Sequence, residues 1–294
     1  MENKYSYVSL ITTNVYLPPF ITMLYSFLQT KPKYPMLVLV SREISEENRA
    51  IIKGFGVDIL EVPLLKPAGI DISQTNYNNL DIPTFHPCLS KLHIFNLTQF
   101  DKVIYIDGDM LLLQNIDELF DAPDLSAVPD LGWVKNCKQF NAGLMVVKPD
   151  KARFQQLLDI IQTYSGQQSW LDAVGNMVNN LDDQQVLYKL FTDWPTKQEL
   201  HLSSVYNMQI NYLQRSPIFP EIFKKIKVLH MSCSIRPWLY ETPDEFGKDC
   251  SKWLSFNAFA IYNWYGQLIN GCIQLLINLG YKSENLKKLS SIFY

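Results

Sequence analysis

Two aspartates one residue apart, Asp107 and Asp109, end the apolar run in KVIYIDGDMLLLQNIDELF, residues 102–120. An uninterrupted run of β-branched residues reads as a strand buried on both faces, and a carboxylate is costly to desolvate unless it is paired or coordinating. With Gly108 between them, the two side chains point the same way and another group can approach the turn closely. Two hard oxygen ligands on one side of a turn suit Mg²⁺ or Mn²⁺, ions that complete their shells with substrate phosphates. A nucleotide diphosphate is the natural partner. The plain alternative is a solvated turn at a strand end, because short D-x-D matches are frequent by chance.

His230, in KVLHMSCSIRPW, lies at or near the end of another strand-like run, where its imidazole can join the carboxylates on a borderline-hard ion such as Mn²⁺. The alternative is a core histidine bonded to backbone. Arg236 offers a planar, permanently charged fork for a phosphate, on a segment stiffened by Pro237 and Trp238. A hydrophobic strand delivering D-x-D also begins the haloacid dehalogenase type of phosphatase, in which the first Asp is the nucleophile and a later acidic pair holds Mg²⁺. Asp182 and Asp183 imitate that later pair. Against this reading, about a hundred residues of βα pattern precede Asp107, and Met110 to Leu112 offers no hydroxyl where one is expected.

Residues so far apart need a scaffold to bring them together. Tyr5 to Ile11 reads as a strand, Phe20 to Leu28 as a helix with Phe20, Leu24, Phe27 and Leu28 on one face, and Met36 to Val40 as a strand. SEENRAIIKGFG then reads as a helix capped by Ser45 and stopped at Gly54 or Gly56, and VDILEV as a third strand. This βαβαβ rhythm predicts a doubly wound α/β fold with a mostly parallel sheet, which binds ligands at the carboxyl ends of its strands. Residues 63–87 lack periodicity and read as a lid or rim. CLSKLHIFNLTQF reads as a helix with Leu89, Leu92 and Phe95 or Asn96 on one side, FNAGLMVV as a buried strand, and KARFQQLLDIIQTY and DDQQVLYKLF as helices.

The 294-residue chain is 47% hydrophobic, enough for a large core. Its 26 basic and 29 acidic residues leave no field that would recruit nucleic acid or an anionic membrane. Five cysteines, odd in number and without C-x-x-C spacing, predict reduced thiols and a cytoplasmic protein. The first residues hold no apolar run of signal-peptide length. Trp253 to Tyr281 is uncharged, yet Asn263, Gln267, Asn270, Gln274 and Asn278 form a polar stripe on one helical face. Ile261, Trp264, Leu268, Cys272, Leu275, Leu276 and Leu279 fill the other. That pattern predicts an amphipathic helix packed on the body, with self-association into a homodimer or a membrane surface as the alternatives.

The order of TTN and VY near the start, SKLHIFNLTQFDKVIYIDGDMLLLQNIDELF, FNAG, DDQ and H-x-x-C-x-x-R-P-W resembles the family 8 glycosyltransferases. These are the retaining sugar transferases that include glycogenin and galactinol synthase, and the resemblance covers roughly the first 240 residues. It implies a GT-A type nucleotide-diphospho-sugar transferase domain in residues 1–240, with 241–294 a helical extension packed on it. It also implies Mn²⁺-dependent, or Mg²⁺-dependent, transfer of a hexose from UDP-glucose or UDP-galactose to a hydroxyl of a protein, glycan, lipid or polyol. By position, Ile11, Thr13, Asn14 and Tyr16 would hold the uridine, and Asp107, Asp109 and His230 the metal. Lys91 would reach the diphosphate or sugar, Asn141, Ala142 and Gly143 would line the donor sugar, and Asp183 and Gln184 would stand beside the anomeric carbon.

This sequence departs from the family pattern in several places. Cys233 stands where glycine is usual, adding bulk where backbone would approach phosphate, and Arg236 stands where lysine is usual. Asn180 replaces an acid, and no arginine precedes Lys91 where glycogenin-like sequences have one. Tyr212 lies near the tyrosine that glycogenin glucosylates on itself, but about two residues out of register. A catalytically weak relative that binds UDP-sugar or a partner is the alternative these departures support.

Overall fold

The computed structural model describes residues 3–66, 86–130, 139–163, 170–171, 177–178, 182–210, 212, 224–232, 245, 248, 256–278 and 280. The first half follows the βαβαβ rhythm: β1 (Tyr5–Ile11), α1 (Leu17–Gln29), β2 (Met36–Val40), α2 (Glu46–Gly54) and β3 (Asp58–Glu61). Helix α1 starts earlier than its apolar spacing indicates, because Pro18 and Pro19 sit in the first turn, where no intrahelical N–H is needed. Phe20, Leu24 and Phe27 are buried as expected, but Leu28, one helical step past Phe27, is 37% exposed. Ser45 caps α2 by accepting from the Asn48 N–H, Glu46 and Glu47 occupy the positive end of the helix, and Gly56 turns the chain out at φ +74°.

The segment expected as an α-helix before the D-x-D strand is a run of 3-10 turns, His86–Asn96. A three-residue turn aligns Leu89, Leu92 and Phe95, all buried, while Asn96 faces out. β4 (Lys102–Ile106) and β5 (Met110–Leu112) flank the acidic turn, and β6 (Ser126–Pro129), β7 (Phe140–Val147) and α3 (Lys151–Gln162) follow. After these come the short strands β8 (Trp170–Leu171) and β9 (Met177–Val178), α4 (Asp183–Leu190), β10 (Met208–Gln209), β11 (Val228–His230) and α5 (Phe256–Asn278).

The main sheet runs β3-β2-β1-β4-β7-β6. Its first four strands are parallel, whereas β7 is antiparallel to both β4 and β6. The chain winds outward from β1 to β3 and then returns to the other side of β1 with β4. The crevice past the ends of β1 and β4 is therefore a topological switch point, the usual ligand site of such sheets. A second sheet, β10-β11-β5, continues from the acidic turn. Apolar side chains cover both faces of the main sheet. Tyr7, Val38 and Ile104 pack with α1, α2 and α5 on one side, while Val8, Leu39 and Tyr105 pack with residues 86–96, α3 and α4 on the other.

Helix α5 packs on α1 and buries Tyr265, Ile269, Cys272, Ile273 and Leu276. Its buried stripe is thus turned from the one the sequence pattern indicated. Trp264 is 37% exposed and Leu268 only half-buried, because the aromatic at 265 fills the contact with the body. Gln267 and Asn278 face out as expected. No helix among the described residues is long and apolar enough to cross a membrane.

Candidate functional site

Three chain segments converge past the end of β4. Asp107 donates its backbone N–H to Gly143 O on β7 (2.8 Å), the turn through Gly108 leads into β5, and β5 pairs with β11 so that Met110 lies opposite His230. The Met231 N–H donates to Asp109 O (3.1 Å), which closes the second sheet onto the turn. His230 Nε2 consequently stands 3.4 Å from Asp109 Oδ1 and 4.0 Å from Asp107 Oδ2. One ligand-type atom from each of the three residues lies within 4.8 Å of the others. Gly108 is needed for this approach, since a Cβ there would come within 2.6 Å of the Phe20 ring.

Lys91 projects from the 3-10 segment into the same place. Its Nζ is 3.1 Å from Asp107 Oδ1 and 2.7 Å from Asp183 Oδ2, and it donates to Ala142 O at 3.2 Å. Burial works against its charge, but Asp107 and then Asp183 outweigh burial and hold the ammonium well above the ordinary lysine range. The carboxyl of Asp107 is pushed up, first by burial and further by Asp109 and Asp183, with Lys91 and His230 opposing. Tyr105 donates to Asp107 Oδ1 (2.8 Å), and its ring lies 5.0 Å from Lys91 Nζ. Burial, then the Asp107 charge, pushes the Tyr105 hydroxyl far up, so it remains a donor. The Tyr265 hydroxyl of α5 is likewise pushed far up, first by burial and then by the Asp109 charge.

Strand β7 carries a register shift against β6. Ala127 pairs with Met145, but Val128 already pairs with Asn141, so residues 142–144 leave the β6 ladder. The polar backbone atoms released at Ala142 are met by side chains of the site: its carbonyl accepts from Lys91 and its N–H donates to Gln184 Oε1 (2.8 Å). Asp182 caps α4 by accepting from the Gln185 N–H (2.8 Å), which sets Asp183 and Gln184 in the first turn, facing β7. Burial and then the neighbouring Asp183 push the Asp182 carboxyl up to about 7.

The residues expected around the uridine lie at the end of β1 and just past it. Ile11 is buried, Tyr16 is half-buried against the core, and Thr13 Oγ1 is buried without a hydrogen-bond partner among the described residues. The Asn14 amide is engaged within the fold: Nδ2 donates to Glu43 O, and Oδ1 accepts from the Ser45 N–H and from Asn48 Nδ2 (2.7 Å). Its side chain ties the β1 turn to the start of α2. Asn141, Ala142, Gly143, Asp183 and Gln184 are gathered with Lys91 as described above. Cys233, Arg236 and Asn180 lie outside the described residues, as does most of the segment expected to form a lid or rim. Tyr212 is half-buried against the core.

Sequence reasoning did not single out Tyr105, Asp130, Asn207 or Gln209. Asp130 is buried beside Gln184, whose Nε2 is 3.5 Å from Asp130 Oδ2, and it accepts from Gln209 Nε2 at 2.7 Å. The only sequence signal for Asn207 and Gln209 is two amides entering an otherwise apolar run, VYNMQI, and that spacing names no partner.

A sequence profile described as Glycosyl transferase family 8 matches residues 7–242. Glycogenin-1 of Mus musculus is 30% identical over 237 residues, 80% of this chain and 66% of that protein. Galactinol synthase 1 of Solanum lycopersicum is 27% identical over 286 residues, 89% of this chain and 83% of that protein. Across the glycogenins it matches, the chain spans between 45% and 66% of their length. Among solved structures, the galactosyltransferase LgtC in complex with donor and acceptor sugar analogs aligns with a TM-score of 0.57 at 20% identity, over 90% of this chain and 95% of that one. That likeness establishes the fold, the GT-A type anticipated from the sequence.

Proposed function

The chain belongs to glycosyl transferase family 8, and we propose that it transfers a hexose from UDP-glucose or UDP-galactose to an acceptor hydroxyl with retention of configuration, aided by Mn²⁺ or Mg²⁺. The observation that carries this reading is the convergence of Asp107, Asp109 and His230 within 4.8 Å. Ligands on one ion with bonds of about 2.1 Å stand about 3 to 4.2 Å apart, so a small inward adjustment would close the three atoms on a single cation. Two carboxylate oxygens and one imidazole nitrogen match a hard to borderline divalent ion, and three protein ligands leave positions for diphosphate oxygens. When bound, that cation supplies positive charge to the two phosphates and offsets the charge that develops on departing UDP.

The chain's own residues do the rest. Lys91 adds a fixed positive charge in a buried setting, and Arg236 serves the diphosphate from the segment beyond β11. Asp183, held by its 2.7 Å ion pair with Lys91, sets a carboxylate beside the donor sugar, where it offsets positive charge at the anomeric carbon as the glycosidic bond loosens. Gln184 is committed through its oxygen to the Ala142 N–H, so it fixes the wall formed by Asn141, Ala142 and Gly143. The unpartnered Thr13 hydroxyl is a ready hydrogen-bonding group for the uridine. The acceptor hydroxyl attacks the face that UDP vacates, which preserves configuration. The free, buried thiol of Cys272 suits a reducing cytoplasm as the place of this reaction.

The test is incubation of the full chain with a panel of UDP-sugars, with UDP release and mass spectrometry of the products as readouts. Turnover is expected with a UDP-hexose and Mn²⁺, to vanish with EDTA, and to return when Mn²⁺ is restored. Turnover indifferent to chelation would contradict the metal assignment. Release of phosphate from a simple ester, with UDP-sugars untouched, would contradict the transferase reading itself.

A further inference from the structure

A chain of buried hydrogen bonds runs behind His230, away from the acidic turn. It begins at a donor whose identity is beyond question: the Gly143 backbone N–H donates to Asn141 Oδ1 at 3.0 Å. That atom of Asn141 must therefore be the amide oxygen. The same oxygen lies 2.8 Å from the Asn207 amide, so Asn207 turns its NH₂ toward it as a second donor. The Asn207 oxygen is then left facing His230 Nδ1, at 2.9 Å. An amide oxygen can only accept, so Nδ1 carries the ring hydrogen. In the neutral imidazole Nε2 is left with its lone pair, and Nε2 is the nitrogen 3.4 Å from Asp109 and 4.0 Å from Asp107.

The arrangement has no room to reverse. His230, Asn207 and Asn141 are 4%, 2% and 7% exposed, so a flipped Asn207 would set its oxygen against Asn141 Oδ1 without water to relieve the contact. The ring is also braced sideways: a Cβ on Gly143 would lie 2.5 Å from His230 Cε1 and 2.6 Å from Met110 Cε, so that glycine is the surface the imidazole rests on.

We infer that Asn207 is a positioning residue: fixed by Asn141 and the Gly143 N–H, it holds His230 as the Nδ1–H tautomer and keeps the Nε2 lone pair turned toward the cation site. Its use rests on the metal reading above. The tautomer itself does not, because every bond that sets it exists without a cation.

The first measurement is therefore made on the metal-free full chain, at a pH well above the ordinary imidazole range. Nitrogen-15 shifts of the His230 ring, assigned by their loss in His230→Gln, are expected to show a protonated Nδ1 and an unprotonated Nε2. The opposite tautomer, or a rapidly averaged mixture, would overturn the inference. The second measurement is Mn²⁺ affinity, read from the electron paramagnetic resonance signal of free Mn²⁺. Asn207→Leu is expected to lose the single tautomer and to bind Mn²⁺ about 10- to 100-fold more weakly. Asn207→Asp still presents an oxygen to Nδ1–H but sets its other oxygen against Asn141 Oδ1, so it is expected to keep the tautomer at a lower melting temperature; loss of the tautomer in this variant would count against the relay. A leucine variant with unaltered tautomer and affinity would sink the role given to Asn207. A wild-type chain with the expected tautomer but no Mn²⁺ binding would support the relay and remove the metal reading instead.

Discussion

Lys91→Met is expected to destabilise the metal-free protein by about 3–5 kcal/mol at neutral pH, the cost of leaving buried carboxylates without their cation. For a chain of this size that is a fall in melting temperature on the order of 10 °C. The size follows from burial: the Lys91 side chain is 6% exposed and lies 3.1 Å from Asp107 and 2.7 Å from Asp183, themselves 24% and 9% exposed. Methionine fills the volume of the stem but supplies no charge. In the wild type, Lys91 is raised above its ordinary value, so its own charge is present at every pH below that value and is lost on strongly alkaline titration. The carboxyls behave oppositely. Asp182 at about 7 and Asp107, also raised, carry a penalty on ionisation that grows as pH rises. Without Lys91 these groups take up protons more readily, so the deficit should be largest at about pH 8 and shrink toward about pH 5. Thermal melts in EDTA at the two pH values check both size and trend, and a deficit that widened on acidification would contradict the ion-pair account.

Asp109→Asn has the opposite signature. Turnover of the UDP-hexose is expected to fall by about 10²- to 10³-fold, as when one preorganised electrostatic partner of a transition state is removed. The metal-free fold should be at least as stable as wild type, because the change is nearly isosteric and removes a like charge that pushes Asp107 up. Mn²⁺ affinity should fall alongside turnover. The variant separates a metal ligand from a structural carboxylate: wild-type turnover at limiting Mn²⁺, or a large loss of stability in EDTA, would place Asp109 in the second class.

What could be read from the sequence was what is encoded locally. A β-branched strand ending in D-x-D, a capped helix at Ser45 and the βαβαβ alternation each declare themselves within a few residues, and each is found where expected. The juxtaposition of His230 with Asp107 and Asp109 came from the order of separate motifs, and β5 and β11 realise it by pairing Met110 with His230. Features set by distant partners were not legible. Asn207 is 66 residues from Asn141 and 23 from His230, and nothing near it marks it as more than a polar residue entering a short strand. The departure of residues 142–144 from the β6 ladder depends on Lys91 and Gln184 meeting the freed Ala142 backbone, which no pattern within FNAGLMVV records. The 3-10 winding of residues 86–96 escaped because Leu89, Leu92 and Phe95 fit a three-residue turn and, less well, an α-helix. The rotation of α5 escaped because its aromatic at 265 lies between the two stripes that amide spacing defines, and the body decides which way it turns.

Everything proposed for the site depends on Asp107, Asp109 and His230 holding one divalent cation together. Crystals of the full chain grown with UDP and Mn²⁺, measured near the manganese absorption edge, test it most directly. An anomalous peak is expected within bonding distance of all three side chains and of the diphosphate oxygens. A peak bound elsewhere in the molecule, or UDP seated in the crevice with no peak among these residues, would contradict it.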